Sequence, residues 1–164
     1  GTAGDKQGRR TVMDLVQNAT REVLFPIDKM ERMDTGLLLF TNDPEMTERL
    51  RASGTKVRQL YHVTLRQKMR SEHLVAMAEG VETDAGYIKA STASFIDENK
   101  SPKEIGVEMH SNRPKALAKM LTHLGYEVER LDRTILGPLT KKDLPRGHWR
   151  LLSREELNLL RMTL

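Results

Sequence analysis

The chain has 164 residues, enough for one domain with its own core or two small lobes sharing a sheet. It contains no cysteine, which excludes disulfides and thiolate metal sites and fits a reducing cytoplasm. The net charge of +4 is modest but uneven: nine Lys/Arg face four acids between positions 111 and 150, the footprint of a phosphate-backbone partner or of an ordinary basic surface.

Charged residues make up 30% and aromatics 4%, yet the apolar periodicity argues for a folded chain rather than a disordered one. No apolar run approaches the roughly 18 residues that a membrane-spanning helix needs, and no secretory leader is visible. Residues 1–8 are Gly-rich and polar. Thr11 to Gln17 reads as a helical turn leading to a strand at Val23–Ile27, and Leu37 to Phe40 as a strand buried on both faces. Asp43-Pro44 then opens a helix with a capping acid and a first-turn proline, ending near Gly54. Arg58 to Leu65 alternates as a strand, with Tyr61, Val63 and Leu65 on one side and Leu60, His62 and Thr64 on the other.

Ser71 is placed to cap the next helix, which Gly80 ends, and Val81 to Ile96 reads as a hairpin around Asp84-Ala85-Gly86. Ile105 to His110 alternates again. Pro114 begins a helix with Leu117, Met120, Leu121 and Leu124 on one face and Gly125 at its end. Tyr126 to Leu136 returns as a strand, Gly137-Pro138 turns, and His148 to Leu152 suits a last short strand with Trp149 in the core. Ser153-x-x-Glu156 is a capping box opening a final helix with Leu157, Leu160 and Met162 as its apolar contacts. Strands outnumber helices and the hairpins are local, so the predicted class is α+β, a mostly antiparallel mixed sheet with flanking helices.

Between the first two predicted strands lies a loop rich in charge: Asp28, Lys29, Glu31, Arg32 and Asp34, followed by Thr35-Gly36. From Phe25 to Asp43 the sequence FPIDKMERMDTGLLLFTND resembles the signature of the ribosomal RNA pseudouridine synthases of the RsuA/RluB class, roughly P-V-G-R-L-D-x-x-T-x-G-L-L-L-x-T-N-D. Pro26, Gly36, the leucines and Thr41-Asn42-Asp43 fall in register without a gap. RQLYHVTL carries a tyrosine, Tyr61, in the place of the family's K-x-Y-x-V, with Gln59 where lysine is usual. HSNRPKALAKM resembles H-S-G-R-N-R-x-V-R-R-M, and the tail with its Leu-Pro-Arg-Gly turn is close to the family's end.

The resemblance covers almost the whole chain and implies one catalytic domain over residues 1–164; many relatives carry a small S4-like N-terminal RNA-binding module, and none is expected within these residues. It implies an enzyme that isomerises uridine in ribosomal RNA, in the cytoplasm, as a monomer, with neither cofactor nor metal. The reaction detaches uracil from its ribose, turns it and rejoins it through carbon, on a base flipped out of its stack. By resemblance the catalytic pair falls on Glu31 and Tyr61, and the RNA-binding positions on Lys29, Arg32, Arg113, Lys115 and Lys119.

Two positions depart from the pattern. The nucleophilic aspartate becomes Glu31, whose extra methylene moves the carboxylate by about 1 Å, a displacement that costs roughly a hundredfold in rate. The arginine expected to face that carboxylate becomes Ala118, which removes a cation that would hold it charged. A remodelled loop would let Asp28 or Asp34 serve instead. Two readings follow: a pseudouridine synthase with an impaired site, or a silent RNA-binding relative acting in ribosome assembly. A third, a carboxylate hydrolase using Glu31 and Asp34, lacks any accompanying sugar-binding signature.

Overall fold

Capping chemistry and strand alternation set the element boundaries in the computed structural model, which describes residues 11–26, 34–52, 57–110 and 115–163. Helix α1 (Val12–Val16) opens on a reciprocal cap between Thr11 and Asp14. Three short strands follow, β1 (Phe25–Pro26), β2 (Asp34–Gly36) and β3 (Phe40–Thr41). The Asp43 carboxylate accepts from Glu45 N at 3.0 Å and starts α2 (Pro44–Ala52). Strand β4 (Gln59–Leu65) leads to α3 (Ser71–Glu79), the hairpin β5 (Val81–Thr83) and β6 (Gly86–Ile88), then β7 (Thr92–Phe95) and β8 (Glu104–Met109). Helix α4 (Ala116–His123), β9 (Val128–Leu136), β10 (Leu139–Thr140) and α5 (Arg154–Met162) complete the order.

The principal sheet runs β10-β9-β4-β8-β7, antiparallel throughout, and β2 adds to β9 as a parallel neighbour. Two small ladders, β1 with β3 and β5 with β6, stand apart from it. The α+β reading with a mostly antiparallel sheet therefore holds. One face of the sheet presents Val63, Leu65, Ile105, Val107 and Leu131 to Leu74 and Met77 of α3 and Leu117, Met120 and Leu121 of α4. Both helices carry these residues three or four positions apart, which puts them on one stripe. Gly80 ends α3 in a backbone conformation that side chains rarely adopt: its φ is +111°, and a Cβ would also have to displace the Tyr87 ring, whose hydroxyl donates to Glu79 O at 2.9 Å. The opposite face is polar, with His62 bonded to Glu104 at 3.0 Å and Arg58 to Glu108 at 3.2 Å.

Five sequence expectations are corrected. Leu37 to Leu39 form no strand and are only half-buried. The ladder of β2 ends because Leu37 N donates to Arg133 O while the Leu37 carbonyl is taken by a side chain. Ser71 is the first residue of α3 rather than its cap; Arg70 holds that position without a side-chain bond to the helix backbone. The predicted 81–96 hairpin divides, its first half a separate ladder and its last strand, β7, pairing with β8.

Residues 148–152 form no strand, and Trp149 is 45% exposed rather than core. One edge of β9 is filled by β4, and on the other β2 and β10 hold Leu131 to Arg133, Ile135 and Leu136, so next to β10 no run of open ladder positions remains for the segment. Met162, expected among the contacts of α5, is exposed; Leu160 is the buried residue of that helix. The predicted ends at Ile27, Gly54 and Pro114 lie outside the described residues.

Candidate active site

Strand β9 is the element that assembles the site. Its pairing places Gly36 of β2, Arg133 of β9 and Tyr61 of β4 in one row across three strands. Residues in one row share a face of a sheet, so the guanidinium and the phenol lie on the same side. A bulge secures this: Leu60 faces Ile135 and Tyr61 faces Arg133, leaving Thr134 as the extra residue. The Thr134 hydroxyl donates to Leu60 O at 3.3 Å across the irregularity.

Arg133 is 7% exposed, and a buried guanidinium is tolerated only when its donors are used. Its Nε and Nη2 donate to Leu37 O at 2.9 and 2.7 Å, and Leu37 N donates back to Arg133 O at 2.9 Å. The connector after β2 is thereby fastened to β9 by backbone and side chain together. Gly36 permits the approach. Its φ is +93°, and a Cβ there would lie 2.2 Å from Arg133 O, so any side chain would push β2 off β9.

Tyr61 is half-buried and packs against the edge of the main core, while its hydroxyl donates to Gln59 Oε1 at 2.8 Å. Gln59 stands two residues away on the same face and sets the orientation of the ring. Asp34 is in the row of Leu131, Val63 and Ile105, two residues along β2 from Gly36, so it shares the face of Arg133 and Tyr61. On β9, Asp132 is 8% exposed and receives Lys141 Nζ at 2.6 Å. Its second oxygen is buried without a partner among the described residues.

The other positions singled out from sequence distribute unevenly. Lys115 and Lys119 are at the first turn of α4, four residues apart and so on one side of the helix, with Lys115 exposed. Ala118 is partly buried against the core, a poor place for a guanidinium. Asp28, Lys29, Glu31, Arg32 and Arg113 lie outside the described residues. Arg133 escapes the sequence reading. Its signal is nonetheless there: in β9 it takes the inward phase that Leu131 also occupies, and an arginine at an apolar phase of a strand needs a buried acceptor. Among the described residues, no group of His, Asp and Glu is arranged to hold a metal, and no helix is long and apolar enough to cross a membrane.

Comparison with known proteins gives this arrangement a context. A family model described as RNA pseudouridylate synthase matches residues 2–144. The chain belongs to the RNA pseudouridylate synthase family. Similar members of the family include an uncharacterised RNA pseudouridine synthase of Aquifex aeolicus, 27% identical over 92% of this chain and 60% of that protein. The dual-specificity RNA pseudouridine synthase RluF of Escherichia coli is 25% identical over 91% of this chain and 49% of its own length. Ribosomal large subunit pseudouridine synthase B of Haemophilus influenzae is 27% identical over 98% and 45%. A crystal structure of a pseudouridylate synthase shares the fold, with a TM-score of 0.78 at 21% identity over 92% of this chain and 65% of that one. The chain thus spans between about half and two thirds of the length of these relatives.

Proposed function

We propose that the chain carries the uridine-isomerising site of an RNA pseudouridine synthase acting on ribosomal RNA, as a cytoplasmic monomer without cofactor or metal. The supporting observation is the row that puts the buried Arg133 beside Tyr61 at the end of the charged loop. The proposed nucleophile is the carboxylate of Glu31. It lies three residues before Asp34, a stretch of chain that spans about 10 Å at most, which keeps it within reach of that row. In this reading the carboxylate takes part in breaking the N1–C1′ bond, Tyr61 packs on the freed uracil, and the base turns so that C5 bonds to C1′. The C5 proton is then released and N1 is protonated.

Arg133 supplies the cation that the Ala118 position does not. It favours the charged form of a carboxylate nearby and fixes the connector from which the loop emerges. Lys29, Arg32, Arg113, Lys115 and Lys119 are the proposed RNA contacts, with the phosphate backbone as their target. The longer side chain at position 31 predicts a slow enzyme, and the silent RNA-binding relative is its limiting case. A second nucleophile has an observation in its favour: Asp34 is on the face of Arg133 and Tyr61.

Release of tritium from RNA labelled at uridine C5 tests these roles. Glu31→Asp is expected to raise turnover by roughly ten- to a hundredfold, and Glu31→Ala to abolish it. Turnover that survives Glu31→Ala but is lost in Asp34→Ala would move the nucleophile to position 34. No release from either the wild type or Glu31→Asp, with RNA still bound, would establish the silent reading.

A further inference from the structure

The segment 141–150, KKDLPRGHWR, follows β10 with four basic residues against one acid, and it is pinned at both ends. At its start Lys141 is bonded to the buried Asp132 of β9, next to Arg133. At its end Arg150 makes two bonds of 2.7 Å to Glu156, whose carboxylate also accepts from Ser153 N. Leu152 then packs with Leu39, Met46, Leu50 and Leu160, beside the connector whose Leu37 carbonyl Arg133 holds. Between these anchors Lys142, Arg146 and His148 are exposed, and Trp149 keeps 45% of its surface in solvent.

A large aromatic left half-exposed forgoes burial worth about 1.5–3 kcal/mol for a core side chain. Here it is offered on a segment whose ends cannot drift, among cations that have no ion pair among the described residues. Aromatic faces interleaved with lysine and arginine bind unpaired bases: the ring stacks on the base and the cations follow the phosphates. We propose that Trp149 is a stacking platform for an unpaired base of the RNA substrate, with Lys142 and Arg146 on its phosphates. This rests on the RNA-modifying reading above and extends the bound surface from the catalytic row to the segment after β10. The charge selects RNA over a protein partner, although exposed Leu151 and Met162 would also suit contact with a second copy of this chain.

Trp149 is the one tryptophan of the sequence, so its emission reports on this position alone. The experiment titrates the full chain with a uridine-containing single-stranded RNA, with a blunt duplex of the same sequence, and with polyphosphate, following both emission and RNA anisotropy. Single-stranded RNA is expected to quench Trp149 while polyphosphate leaves the emission unchanged. Trp149→Ala should weaken single-stranded binding by roughly tenfold with its salt slope intact, and Trp149→Phe should retain most of the affinity. Urea midpoints for both variants equal to the wild type's show that the fold is unaltered. RNA binding with unquenched emission and an unaltered Trp149→Ala affinity overturns the platform and leaves the proposed function standing. Emission that varies with protein concentration in the absence of RNA overturns it in favour of self-association. Failure of every RNA to bind defeats the proposed function and the platform together.

Discussion

Between α3 and α4 the sheet rests on side chains such as Met77, Met120, Leu121, Val63 and Val107, from which water is wholly excluded. Around β2, β10 and α5 the buried apolar side chains are fewer, with Leu50, Val57, Leu136, Leu139 and Leu160 and a few half-buried neighbours. The elements there are located instead by charged clamps: Arg133 on Leu37 O, Lys141 on Asp132 and Arg150 on Glu156. Apolar packing is dense and indifferent to direction, so it fixes stability. Charged clamps are directional, so they fix where a few atoms sit. The proposed chemistry lies on the second kind of support, and the comparison predicts that damage to the two regions will be felt in different quantities.

The largest effect on stability belongs to the packed side. Leu121→Ala, at a site with no solvent exposure, is expected to cost about 2–5 kcal/mol in urea unfolding, with turnover per folded molecule unchanged. A large loss of turnover at low denaturant would show that the two regions are not separable. Arg133→Met should do the reverse. It leaves the Leu37 carbonyl without its donors, at about 1–3 kcal/mol, but lowers uridine turnover by roughly two to three orders of magnitude. An Arg133→Met protein as active as the wild type would remove Arg133 from the site.

A smaller effect concerns pH. The Glu156 carboxyl is lowered to about 2, chiefly by its bonds to Arg150 and then by the Ser153 backbone N–H. A folded-state value below the unfolded one means that the clamp's contribution is complete above about pH 4.5 and is lost as the pH falls towards 2. The urea midpoint of the wild type should therefore fall more steeply across that window than that of Glu156→Gln. Parallel acid limbs would show that the clamp contributes nothing to folding. The smallest effect is electrostatic. Joint replacement of Lys115 and Lys119 by alanine should weaken RNA binding and reduce its salt slope by about one for each phosphate that those lysines neutralise. An unchanged slope would place the first turn of α4 away from the RNA.

The same division explains what the sequence could and could not disclose. Elements of the packed side follow from local chemistry: the alternation of β4, the stripe Leu117-Met120-Leu121, and the turns at Gly80 and Asp84-Ala85-Gly86. The Ser153/Glu156 box and the Asp43 cap are equally legible, since each bonds within three residues of itself. Leu37 to Leu39 misleads because an apolar run carries no record of a distant arginine that takes its carbonyl. Trp149 suggests a core position because hydrophobicity says nothing about whether a neighbouring strand edge is free. Arg133 goes unnoticed because its role depends on the bulge at Thr134 and on a parallel partner far away in the chain. Tyr61, by contrast, is singled out by the family resemblance of a short contiguous segment, and the structure adds that its hydroxyl donates to Gln59.

The parallel pairing of β2 with β9 has a consequence for the order of assembly. Leu37 and Arg133 are 96 positions apart, whereas β7 with β8 or β5 with β6 closes over short loops. Closing so long a loop is entropically slow. During synthesis β2 must therefore wait, undocked, until β9 has emerged. The β2 amides should be the last to gain protection from hydrogen exchange during refolding and the first to lose it under mild denaturant.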